Sequence, residues 1–135
     1  MAGYAGTPLI KKLGVKPGAK LFAISAPKDY VKWLGPLPEG AAFAARQPKS
    51  DCDLVYLFVV LLLALKRDLP RARAAIGSDG AIWDLLVQKS AKIPTDVTED
   101  EIRRVALKTD LVDVKVCAVT DTWCGVKLVV RKHLR

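Results

Sequence analysis

Lys89, Lys92 and Asp96 lie close together between an apolar run ending at Val87 and a helix start at Thr98. Lysine offers a flexible point charge with three donors, which suits a phosphate or carboxylate but discriminates shape poorly. Trp123, in the short connection over residues 120–125, is an aromatic that a turn does not require. It is the nearest candidate in type for an aromatic wall beside such an anion. These four residues form the candidate ligand-binding set.

The other reactive residue types lack partners. Metal binding would draw on Cys117, Cys124 and His133, whose spacings fit no zinc pattern. A strand sends successive side chains to opposite faces, so these three need not converge. Nucleophilic catalysis needs a base beside the nucleophile. The single histidine is His133, near the C-terminus, and no serine sits in a glycine-flanked elbow. Asp51, Asp53, Asp96 and Asp113 supply carboxylates that nothing in their spacing pairs. The expected site is therefore non-catalytic, with no metal and no cofactor.

Periodicity and punctuation define the elements that position these residues. Thr7 caps a short helix, with Pro8 at its first position, Leu9, Ile10 and Leu13 on one face, and Gly14 closing it. Residues 21–24 make an apolar strand, 29–34 a brief helix and 41–45 a small second strand. Residues 54–60, rich in branched and aromatic side chains, make a third strand. A helix follows over 61–76, which Pro70 is expected to kink or restart. Gly77-Ser78-Asp79-Gly80 reads as a turn, and residues 81–87 as a fourth strand with Trp83 in the core.

Thr98 and Glu101 form a capping box, with Glu99 and Asp100 adding charge to the first turn. Strands over 112–119 and 126–130 close an antiparallel hairpin. Strands alternating with helices imply an α/β fold, a Rossmann-like three-layer sandwich built as one domain over residues 1–135. Its sheet is mostly parallel, with roughly five to six strands and the antiparallel hairpin at the C-terminal edge. Lys89 then falls at the carboxyl end of the sheet, beside the loop after the first strand, where ligands dock in such folds.

Charge bounds the partners. The 22 Lys and Arg against 14 Asp and Glu give +8 and a pI near 9.6, a field that favours anionic partners. The densest stretch is Lys66-Arg67-Asp68-Leu69-Pro70-Arg71-Ala72-Arg73. It carries no interleaved aromatic and no nucleic-acid motif, so nucleic-acid binding rests on charge alone. The longest apolar run, residues 54–65, is too short to span a bilayer, and no membrane partner is expected. Met1-Ala2-Gly3-Tyr4-Ala5-Gly6 lacks the pattern of a signal peptide. Three cysteines make no disulfide framework, which together implies free thiols and a cytoplasmic location.

Two resemblances follow from particular residues. Lys12-Leu13-Gly14-Val15-Lys16-Pro17-Gly18 before the first strand and Gly77-Ser78-Asp79-Gly80-Ala81-Ile82-Trp83 before the fourth resemble a trimmed S-adenosylmethionine methyltransferase domain. Almost the whole chain also resembles a bacterial family of small uncharacterised proteins, a domain of unknown function in the 3052 series. Gly3-Tyr4-Ala5-Gly6-Thr7-Pro8-Leu9, Pro94-Thr95-Asp96 and residues 111–119 carry that match, with Trp123-Cys124-Gly125 where Trp-Ser-Gly is expected. The second resemblance implies a bacterial cytoplasmic setting and no particular chemistry.

The first resemblance implies a cofactor turn after the first strand, where glycines let the backbone approach the ligand. This sequence has Ser25-Ala26-Pro27-Lys28-Asp29 there. The second strand ends at Arg46 in place of an acid for ribose hydroxyls, and Val60-Leu61-Leu62-Leu63 after the third is apolar. The expected function is a binding or interaction module for an anionic ligand or protein partner. The alternative is a degenerate methyltransferase-like enzyme or cofactor binder.

Overall fold

The computed structural model describes residues 9–28 and 30–134. The expected cap, Thr7 with Pro8, lies outside these residues, as does Asp29. In chain order the elements are α1 (Leu9–Lys12), β1 (Lys20–Ile24), α2 (Tyr30–Leu34), β2 (Ala42–Phe43) and β3 (Cys52–Val59). They continue with α3 (Leu62–Ala75), β4 (Ile76–Val87), α4 (Glu99–Leu107), β5 (Leu111–Ala118) and β6 (Trp123–Val130). The strands form one six-stranded sheet in the order β2-β1-β3-β4-β6-β5. β1 runs parallel to β2 and β3, and β3 to β4, while β6 is antiparallel to β4 and β5.

β3 reads as an unbroken apolar run because both of its faces are covered. Val55, Leu57 and Val59 pack with Leu65, Leu69 and Ala72 of α3 and Ile102 and Ala106 of α4. Leu54, Tyr56 and Phe58 pack on the other face with Leu13, Tyr30 and Leu34. Each leucine so buried contributes about 1.5–3 kcal/mol. The result is an α/β Rossmann-like sandwich with an antiparallel hairpin at one edge. Among the described residues, no helix is long and apolar enough to cross a membrane.

Four local expectations are corrected. The second strand is confined to Ala42–Phe43, shorter than the alanine-rich stretch implied. α3 does not restart at Pro70 but continues through it, with Leu65, Leu69, Ala72 and Ala75 anchored to the sheet while Pro70 stays exposed. Solvent can satisfy the carbonyl that proline leaves unbonded. β4 begins at Ile76, directly after α3: Cys52 pairs with Ile76 and Leu54 with Ala81, so Gly77–Gly80 bulge from a strand rather than form a turn. A Cβ at Gly80 would stand 2.8 Å from the Cys52 carbonyl oxygen, so that bulge requires glycine. The sheet order also places β3 between β4 and β1, so the loop after β4 lies beside the end of β3 and not that of β1.

Within β4, Asp84 is wholly buried, and neither carboxyl oxygen has a hydrogen-bond partner among the described residues. It pairs in register with Leu57 and Val126, on the face covered by α3 and α4. Burial holds its carboxyl well above the ordinary carboxylate range, so the group is a neutral acid inside the core.

Candidate site at the carboxyl end of the sheet

The loop between β4 and α4 is held by bonds to the hairpin and to the end of β3, and it fixes two helix starts. Gln88 is tied to the hairpin: its N–H donates to the Thr122 carbonyl at 2.7 Å and its Nε2 to the Thr120 carbonyl at 2.6 Å. A 3-10 turn over Lys89–Ala91 ends at Lys92 in the left-handed conformation, with φ of 55°. The Thr95 hydroxyl donates to the Val60 carbonyl at 2.7 Å, which joins this loop to the end of β3. The Asp96 carboxylate accepts from the Leu62 N–H at 2.6 Å, in the first turn of α3. An anion there answers an unsatisfied donor and the positive end of the helix dipole. Thr98 caps α4 by accepting from the Glu101 N–H at 3.2 Å, while the Glu101 carboxylate turns to Arg104.

Between this loop, the β4 end and α4 lies a cleft of about 520 Å³. Leu86, Val97 and Cys124 give it an apolar floor, and Lys89, Glu99 and Arg103 give it a polar rim. Arg103 is held by three carboxylates: Asp113 at 2.9 Å, Asp100 at 3.2 Å and Glu99 at 3.2 Å. The Asp113 bond leads in raising the Arg103 pKa, so its charge is fixed and spent internally. Lys89 is exposed and makes no ion pair among the described residues, which leaves its ammonium group available. Burial raises the Cys124 thiol pKa, so it is an unreactive wall and not a nucleophile.

The four candidate residues are not gathered at one point. Lys89 lines the cleft, whereas Lys92 stands in the same loop beside it. The Asp96 carboxylate is engaged at the α3 N-terminus. Trp123 is the first residue of β6, half-buried on the opposite face of the sheet from Cys124, with its ring edge-on to Phe58 at 5.1 Å. Cys117 and Cys124 likewise face opposite sides of the sheet. Among the described residues, no three His, Cys, Asp or Glu side chains are grouped to hold a metal. Sequence reasoning did not single out Gln88, Thr95 or Arg103. Only the acidic first turn of α4, four residues ahead of Arg103 at Glu99, signalled an ion-paired rim.

The end of β1 carries different residues from a glycine-rich nucleotide-binding turn. Ser25 occupies the left-handed region with φ of 59°, a conformation that glycine adopts without strain. Ala26 and Pro27 follow, and the Tyr30 N–H that opens α2 donates back to the Pro27 carbonyl at 3.1 Å. α2 itself spans only Tyr30–Leu34. Beyond β2 come Ala44, Ala45 and Arg46, none of which offers a carboxylate. These residues do not fit an adenosyl cofactor. The basic stretch of α3 is also largely engaged, since Arg67 and Arg71 bond to Asp68, and Arg73 forks onto Asp110.

This strand order and helix placement define an α/β Rossmann-like methyltransferase fold. The chain aligns with a SAM-dependent methyltransferase from Aquifex aeolicus at a TM-score of 0.68 and 12% identity, over 90% of this chain and 88% of that one. A type 11 methyltransferase from Sulfolobus solfataricus, described as putative, aligns at 0.66 and 12% identity, over 92% and 90% of the two chains. A TehB-like SAM-dependent methyltransferase from Corynebacterium glutamicum aligns at 0.54 and 14% identity, over 91% and 85%. At these identities the likeness establishes the fold. No protein-family model matches the chain, and no curated protein does.

Proposed function

We propose that this chain is a binding module on a methyltransferase-like scaffold, directed at an anionic ligand or partner through the cleft that Lys89 borders. The observation that carries this reading is the end of β1. Ser25, Ala26 and Pro27 stand where a cofactor turn needs glycine and backbone donors, and α2 is too short to present a helix N-terminus. The cleft at the end of β4 supplies the alternative place, with an apolar floor and, at its rim, Lys89, which makes no ion pair among the described residues. The resemblance carried by Pro94-Thr95-Asp96 and Trp123-Cys124-Gly125 supports a bacterial, cytoplasmic origin for such a module.

A second reading is a degenerate methyltransferase-like enzyme or cofactor binder. The Aquifex aeolicus and Corynebacterium glutamicum neighbours favour it, since both are SAM-dependent methyltransferases that align over about nine-tenths of this chain. Calorimetric titration with S-adenosylmethionine and S-adenosylhomocysteine separates the two. The binding-module reading expects no heat of binding up to about millimolar ligand, an affinity weaker than roughly −4 kcal/mol. Micromolar affinity would replace it with the cofactor reading.

A further inference from the structure

The carboxyl end of the sheet carries apolar side chains that stand exposed among the described residues. Leu63 is 80% exposed and Leu61 59%, at the start of α3, and Ile93 is 43% exposed in the loop after β4. The loop is fastened against the α3 start by the Thr95–Val60 and Asp96–Leu62 bonds, which bring these residues to one end of the molecule. Two cations accompany them. Lys66 lies three residues beyond Leu63 on the outer side of α3, and Lys92 immediately precedes Ile93. Both are exposed, and neither ammonium group has a partner among the described residues.

We propose that this end of the sheet is a membrane-docking face, on which Leu61, Leu63 and Ile93 enter the interfacial layer of an anionic bilayer while Lys66 and Lys92 meet lipid phosphates. The proposal goes beyond the ligand cleft and does not depend on it. Protruding leucines with unpaired lysines at their margin match the chemistry of interfacial anchoring, in which apolar burial and attraction to anionic lipid act together. A bilayer is favoured over an acidic protein because these side chains stand out from the surface and do not line the cleft. Lysine, poor at reading shape, suits a fluid array of headgroups. The face requires no membrane-spanning segment.

The test is co-sedimentation of the full chain with phosphatidylcholine vesicles, with and without about a third phosphatidylglycerol. Binding is expected only to the anionic vesicles. Leu63→Asp should abolish it, and Lys92→Glu should weaken it about tenfold. Lys132→Glu, an equal charge change at the opposite end of the sheet, should leave it nearly unchanged. Melting curves establish that each variant folds, and Leu61→Gln replaces Leu63→Asp if that one does not. Absence of binding, equal binding to neutral vesicles, or losses that are the same for Lys132→Glu overturn the proposal. So does soluble polyglutamate binding with the same residue dependence in place of the vesicles, which would assign the face to an acidic protein. None of these outcomes alters the reading of the Lys89 cleft.

Discussion

Gly125 of β6 lies directly against the indole ring of Trp83 in β4: a Cβ at Gly125 would stand 2.9 Å from Cε3 and 3.2 Å from Cζ3. Trp83 cannot give way, because it is fully buried and its Nε1 donates to the Leu13 carbonyl at 3.0 Å. Gly125→Ala should therefore destabilise the fold by about 1–3 kcal/mol, the range for overpacking a filled core. Urea denaturation checks it, and a wild-type midpoint would show that the hairpin can shift aside.

Asp84 sets a pH dependence whose sign is fixed by its raised pKa. The folded protein keeps a proton that the unfolded chain releases above the ordinary value of 3.8. Unfolding therefore releases a proton, and stability falls as pH rises from about 4. Asp84→Asn removes this titration. Its stability relative to wild type should grow between acid and neutral pH in parallel denaturation series. Curves that stay parallel from pH 4 to 8 would mean that the carboxyl finds a partner when ionised.

The loop that carries the candidate site also supports two helices. Asp96→Ala leaves the Leu62 N–H without its acceptor, and Thr98→Ala does the same for Glu101. Each should cost about 0.5–2 kcal/mol, as capping residues do. The two losses should add approximately, because they act on different helices. Thermal melts of both single variants and the double variant measure this.

Lys89→Ala should leave the melting temperature unchanged, since the side chain is exposed and makes no bond among the described residues. It should weaken binding of an anion placed in the cleft. Titration of inorganic pyrophosphate followed by NMR shifts of Lys89, Thr95 and Arg103 provides the readout. Equal shifts in wild type and variant would remove Lys89 from the site.

What was legible in the sequence was whatever local chemistry decides. The β3 strand, the Thr98 cap and the hairpin were all visible, because apolar runs, a capping residue and a short connection act over a few positions. The start of β4 was not. Gly77, Ser78, Asp79 and Gly80 favour a turn, and only the pairing of Ile76 with Cys52 draws them into a strand. Asp96 was singled out as a ligand candidate because its carboxylate was visible, whereas its acceptor role at Leu62 depends on a contact 34 residues away. Trp123 enters the candidate set by residue type alone, as an aromatic wall, and the two faces of the sheet separate it from the cleft. Asp84 did leave a signal, an acid inside Ile82-Trp83-Asp84-Leu85-Leu86.

The bond between Asp96 and the Leu62 N–H also orders events during synthesis. The first turn of α3 emerges long before the carboxylate that completes it, and β4 must be made in between. A nascent chain that stops short of Asp96 holds α3 with a frayed start and with Leu65 and Leu69 lacking the α4 side of their core. Such a chain exposes sticky surface in proportion to how long translation lingers there.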